Sequence, residues 1–148
     1  MKKFVFLCVF FAFSLSLRAQ ESGIRFFHGT WDEAIALAKK EKKKIFVDFY
    51  TEWCGPCLNM SLTVFVLPQV GEVYNKNFVC LKIDAEKGEG RELAKRYGVN
   101  SYPTYIFINP KNQEIIHRSG SNKPVEDFLY DAQGGINPKL GSVYMDKK

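Results

Sequence analysis

Between Thr30 and Glu41, apolar side chains fall at Trp31, Ala34, Ile35 and Ala38, the spacing of one helical face. Thr30-Trp31-Asp32-Glu33 supplies a capping box, so the pattern predicts a helix over 31–41. Residues 45–50 form a short apolar and aromatic run and predict a strand covered on both faces. A second helix is expected over 54–66; Pro68 stops it and opens a short helical stretch over 68–74. Residues 78–83 read as a strand ending at Asp84, and 89–97 as a helix stopped by Gly98. Residues 104–108 and 114–118 read as strands joined by a polar turn. Pro124 opens a last helix over 124–132, and 134–148 read as a patternless tail. Strands separated by helices imply parallel pairing and the hairpin adds antiparallel strands, so the class is α/β with a mixed sheet.

Trp53-Cys54-Gly55-Pro56-Cys57 sets two cysteines three apart at a helix opening. The first N–H groups of a helix are unpaired and its start carries partial positive charge, which stabilises a thiolate placed there. Pro56 has no N–H to lose, and its fixed φ suits a first helical turn. The spacing puts Cys57 one turn on, close enough to close a disulfide. The same motif is half of a zinc site, but structural zinc commonly wants two spaced ligand pairs. Cys80, His28 and His117 are not paired at ligand spacing, so redox chemistry is the stronger reading and neither metal nor cofactor is expected. Asp48 lies inside the apolar strand, where a carboxylate is unfavourable unless protonated or partnered. The alternative is a place at the strand's wet end.

Residues 1–19 read as a secretory signal peptide, with Lys2 and Lys3 before an apolar run from Phe4 to Leu17. That run is short for a span, which takes about 20 residues, although Arg18 keeps an uncleaved anchor as the alternative. Cleavage removes Lys2, Lys3 and Arg18 and takes the charge from +5 to about +2, so the basic balance is partly the leader's. About 129 residues remain, enough for one domain over 20–133 with a tail over 134–148. Export implies an oxidising compartment, with the bacterial periplasm as the expected location. No basic stripe interleaved with aromatics supports nucleic-acid binding. Lys39, Lys40, Lys42, Lys43 and Lys44 cluster at a helix end and read as a solvated face.

Val47-Asp48-Phe49, Glu52 to Cys57, Lys82-Ile83-Asp84, Tyr97-Gly98-Val99, Tyr102-Pro103-Thr104 and Gly120 follow one another in this order. On these residues the chain resembles the thioredoxin superfamily over roughly 26–132. The N-terminal helix and Leu62 to Val70 resemble its exported group, which includes the C-terminal domain of transmembrane thiol:disulfide interchange proteins. The resemblance implies a thioredoxin fold, a central mixed β-sheet flanked by helices. It implies that Cys54 attacks, Cys57 resolves, and Asp48 moves the proton of Cys57. It places a cis Pro103 opposite the cysteines, with Tyr102 offering backbone groups to substrate and Trp53, Gly55 and Pro56 bordering it. Without the resemblance, Trp53 reads as a core residue and Pro103 as a trans strand starter.

Cys80, four residues before Asp84, stands where the resemblance expects a lysine beside the buried acid. Asp48 is therefore expected to lack a cation, and Cys80 to be an inert buried thiol. His28 and His117 read as ordinary surface or strand residues. Gly-Pro between the cysteines resembles reducing thioredoxins, whereas disulfide isomerases usually carry Gly-His. The reading is a monomeric exported reductase of protein disulfides, fed by a membrane thiol donor. An oxidase or isomerase on the same fold, or a non-catalytic adaptor, are the alternatives.

Overall fold

The computed structural model describes residues 22–137 and Lys139. The leading segment 1–19 and most of the expected tail lie outside the described residues. Helix α1 spans Trp31–Glu41, and the capping box is formed: Thr30 Oγ1 accepts from the Glu33 N–H while the Glu33 carboxylate accepts from the Thr30 N–H. Strand β1 (Lys44–Tyr50) follows, then α2 (Gly55–Thr63), α3 (Pro68–Asn77) and β2 (Phe78–Asp84). Helix α4 (Gly90–Arg96), the strands β3 (Thr104–Ile108) and β4 (Ile115–Gly120), and α5 (Val125–Ile136) complete the order.

The strands lie in the order β2-β1-β3-β4. β1 and β2 are parallel, while β3 is antiparallel to both β1 and β4, which gives the expected mixed sheet between helices. One detail departs from the pattern: β3 follows a helix yet runs against its neighbour β1. Helix α4 has only seven residues, about 10 Å of rise, too little to return the chain along a seven-residue strand of about 23 Å. The chain therefore stays at one end of the sheet. Tyr50 pairs with Asp84 there, and Phe49 with Thr104. That end carries the Cys54–Cys57 turn.

Side chains alternate across β1. Ile45, Val47 and Phe49 join Ile35, Ala38, Leu93 and Tyr97 under α1 and α4. Phe46 faces the other way, into an aromatic cluster with Tyr74, Tyr105, Phe107 and Phe128 under α2, α3 and α5. Tyr74 and Phe128 stack with centroids 4.6 Å apart, and the Tyr74 hydroxyl donates to the Phe128 carbonyl at 2.8 Å. By the same alternation Asp48 lies on this aromatic face. It is fully buried, so it does not sit at a wet strand end.

Two boundaries move. Helix α2 stops at Thr63, and Val64 and Phe65 turn into the core before Pro68 opens α3. Helix α5 runs past residue 132, so the expected tail at 134–148 loses its first residues to the helix. Gly134 and Gly135 each disfavour a helix interior by about 1 kcal/mol relative to Ala. Here their smallness is required, because a Cβ would lie 2.9 Å from the His117 ring and 2.3 Å from that of Phe107. Lys44 Nζ closes the helix by donating to the carbonyls of Gly135 at 3.0 Å and Ile136 at 2.5 Å. One member of the lysine cluster is thus a cap, placed where a helix end is negative.

Candidate active site

The chain leaves β1 at Tyr50 and turns once before α2. Cys54 ends this turn in extended conformation as the N-cap of α2, and its sulfur accepts the Cys57 N–H at 3.1 Å. Pro56 sits in the first turn, so that helix start has one N–H fewer to satisfy. Cys54 and Cys57 are joined in a disulfide of 2.06 Å. The expected contrast in exposure is slight in this oxidised form, 5% for Cys54 and 3% for Cys57, since each sulfur lies against the other. Gly55 and Pro56 are exposed beside them.

The Tyr102–Pro103 bond is cis, as the resemblance implies. Pro103 is buried at the start of β3, and Tyr102 meets Trp53 edge to face with centroids 5.8 Å apart. Trp53 is 69% exposed, so its bare reading as a core residue fails. Its indole N–H is shared by both oxygens of Glu86 at 3.1 Å, which fixes the ring at the surface. Gly120 closes this loop: a Cβ there would fall 2.6 Å from the Pro103 carbonyl oxygen.

Behind the cysteines the structure corrects the sequence reading. Asp48 is not without a cation. It stands opposite Lys82 in the parallel register of β1 and β2, and Lys82 Nζ reaches Asp48 Oδ2 at 2.7 Å. Cys80 precedes it by one same-face step, is buried and packs into the aromatic cluster, where burial pushes its thiol well above the usual range. The same ammonium donates to Ser61 Oγ at 2.9 Å and lies 4.4 Å from the centre of the Tyr50 ring. Ser61 in turn donates to the Cys57 carbonyl at 3.0 Å. A continuous polar chain therefore runs from Cys57 through Ser61 and Lys82 to Asp48.

Burial raises Asp48 above the ordinary carboxyl value, and the charge and hydrogen bond of Lys82 only partly offset this. Its second oxygen, Oδ1, has no hydrogen-bond partner among the described residues. Such a group holds its proton to higher pH than an exposed carboxylate does, which suits it to proton transfer. Counting back from Asp84 by two rather than four, onto the strand face that Asp48 shares, was the signal for Lys82. Ser61 carried no signal in the sequence beyond its place one turn after Cys57.

His117 is a strand residue, as read, but a buried one. Its Nε2 lies 3.2 Å from Asp131 Oδ1, and Asp131 Oδ2 accepts from Ser119 at 2.6 Å and Lys123 at 2.5 Å. This cluster ties α5 to β4 beside the aromatic core.

Comparison with known proteins agrees with this geometry. The thioredoxin-like family model matches residues 27–110. Thioredoxin-1 of Drosophila yakuba is 40% identical over 83 residues, covering 56% of this chain and 72% of that protein. Thiol:disulfide interchange protein DsbD 2 of Pseudomonas aeruginosa is 33% identical over 84 residues, which is 56% of this chain and only 14% of that protein. Among solved structures, a putative disulphide-isomerase from Bacteroides thetaiotaomicron superposes with a TM-score of 0.70 at 42% identity, covering 80% of this chain and 98% of that one. The chain belongs to the thioredoxin-like family, and its Cys54–Cys57 pair is that of a thiol:disulfide oxidoreductase.

Proposed function

We propose that this protein is an exported reductase of protein disulfides. The reading rests on the pair between the cysteines: in the disulfide form, among the described residues, the Cys57 N–H donates to the Cys54 sulfur and no side chain does. Gly55 has no side chain and Pro56 neither a charged side chain nor an N–H, so the intervening pair adds no cation and no side-chain donor. A dithiol whose thiolate is strongly stabilised is an oxidant, because its reduced form is favoured. A modestly stabilised one gives its electrons away.

In the reduced protein, the Cys54 thiolate attacks one sulfur of a substrate disulfide. The substrate S–S bond breaks, one substrate thiolate leaves and takes a proton, and Cys54 is left in a mixed disulfide. Cys57 then gives its proton to Asp48 and attacks the Cys54 sulfur, releasing the second substrate thiol. Two electrons pass to the substrate and the chain ends in the disulfide form. Tyr102 and the cis Pro103 flank the approach to Cys54, where an extended substrate segment can pair with backbone groups. Trp53, Gly55 and Pro56 form the rest of the border.

Residues 1–19 have the character of a signal peptide, which favours the periplasm. A reductase there needs an electron donor, which we take to be a membrane thiol carrier; the likeness to a thiol:disulfide interchange protein supports a thiol–disulfide partner protein. The competing reading, an isomerase, is favoured by the likeness to the putative disulphide-isomerase from Bacteroides thetaiotaomicron. The test is reduction of insulin with dithiothreitol as electron source. Cys54→Ser is expected to abolish it, and Cys57→Ser to accumulate mixed disulfides through Cys54. Mixed disulfides through Cys57 in the Cys54→Ser chain would overturn the assignment of roles.

A further inference from the structure

Ser61 is a half-buried polar residue one turn after Cys57, next to the buried Met60 of α2, and it makes two contacts of different kinds. Its hydroxyl donates to the Cys57 carbonyl at 3.0 Å. Serines in helices often bond the carbonyl four residues back, so this contact alone implies no role. The second contact is not local: Lys82, from β2, places its ammonium 2.9 Å from the same oxygen. An ammonium only donates, so the Ser61 oxygen accepts from Lys82 and its one proton is left for Cys57. The two bonds fit together without conflict.

Lys82 needs such a holder. β2 is an outer strand of the sheet, and two carboxylates compete for this flexible side chain. Asp48 lies across the strand pair at 2.7 Å. Asp84 lies two residues on along the same face of β2, about 7 Å away and within reach of a lysine. Asp84 and Lys82 both line an open cleft of about 450 Å³. There an ammonium keeps its water, which a fully buried partner denies it. Ser61 supplies an acceptor beside Asp48 and so biases the lysine inward.

We propose that Ser61 is a positioning residue for the resolution step: its hydroxyl holds the Lys82 ammonium against Asp48 and fastens it to the turn that carries Cys57. This rests on the proton transfer from Cys57 to Asp48 described above and not on the direction of net electron flow. With the ammonium inward, Asp48 is favoured as the carboxylate that accepts the Cys57 proton. With it turned toward Asp84, burial acts on Asp48 unopposed. The other groups around the pair stay neutral: burial pushes up the phenols of Tyr50 on β1, Tyr74 on α3 and Tyr105 on β3, and the Cys80 thiol on β2. Beyond Tyr105, Asp131 of α5 is paired with Lys123.

Two readouts on the full chain test this. Carbon NMR titrates the Asp48 carboxyl in the disulfide form, where Cys57 has no proton to lose, and single-turnover kinetics time mixed-disulfide resolution. Ser61→Ala keeps a good helix former in α2, so the fold is retained. It should raise the carboxyl midpoint by about one pH unit, the equivalent of one hydrogen bond to a charged group. Resolution below that midpoint should slow about tenfold, following the carboxylate fraction. Ser61→Thr keeps a hydroxyl that can bond the same carbonyl and should restore both. In an Asp48→Asn chain, Ser61→Ala should change resolution by less than about twofold, because the two act through one group. A midpoint that Ser61→Ala leaves in place would overturn the proposal. So would a moved midpoint with unchanged resolution, or an equal slowing in the Asp48→Asn chain. The expected shifts in a protein whose wild type fails to reduce insulin would leave the role of Ser61 standing and remove the reductase reading.

Discussion

Asp48 and Lys82 face each other across adjacent parallel strands, 2.7 Å apart, the carboxylate fully buried and the lysine side chain 27% exposed. The asymmetry matters. Lys82 keeps part of its hydration and a Tyr50 ring beneath it, whereas Asp48 depends on the lysine for its charge.

Lys82→Met removes the two contributions that lower the Asp48 carboxyl and leaves the burial that raises it. The carboxylate is the form that accepts the Cys57 proton. The Asp48-dependent limb in the pH profile of mixed-disulfide resolution should therefore move to higher pH. Single-turnover kinetics from pH 5 to 9 measure it, and an unmoved limb would mean that Lys82 does not govern Asp48.

Asp48→Asn should slow resolution by about a hundredfold, the lower end of what a positioned acid or base contributes. It should also stabilise the fold at neutral pH. The folded carboxyl titrates above its ordinary value of 3.8, so the native state binds more protons than the unfolded chain once pH exceeds that value. Wild-type stability then falls as pH rises toward the folded value, while the Asn variant lacks this loss. Urea unfolding at pH 4 and pH 8 checks the sign: the gap in favour of Asp48→Asn should widen at pH 8.

Asp131 behaves in the opposite way. Burial pushes it up, but hydrogen bonds from His117, Lys123 and Ser119 and the charge of Lys123 outweigh burial and hold it below its ordinary value. Its contribution is present above pH 3.8 and is lost as pH falls through the lower folded value. Asp131→Asn should destabilise by about 2–3 kcal/mol at pH 7, the scale of hydrogen bonds to a charged group. Urea unfolding should show that difference shrinking in strong acid.

Gly120→Ala places a methyl 2.6 Å from the Pro103 carbonyl oxygen, a backbone atom that cannot step aside alone. We expect a loss of about 1–3 kcal/mol in stability and a raised KM for protein disulfides, measured by thermal unfolding and insulin reduction.

Much of this was legible before the fold was known. The capping box, the run 45–50 and the cysteine pair each encode local geometry, and they mark α1, β1 and the start of α2. The antiparallel entry of β3 was not legible, because it follows from the shortness of α4 and the place where the chain re-enters the sheet. Lys82 was not legible as the partner of Asp48, because the partner of a buried acid is set by strand register, which distance along the chain does not give. The extension of α5 through Gly134 and Gly135 was hidden for a related reason: tertiary contact with Phe107 and His117 overrides a local preference against helix. His117 and Asp131 lie 14 residues apart and meet only when α5 packs on β4.

Whether Cys54–Cys57 gives up electrons is decided by its reduction potential. Equilibration of the full chain with glutathione buffers, scored by thiol alkylation and mass spectrometry, yields the value. We expect a potential near that of a reducing thioredoxin, about −270 mV. A value near about −120 mV, where a strongly stabilised thiolate makes the pair an oxidant, would contradict it.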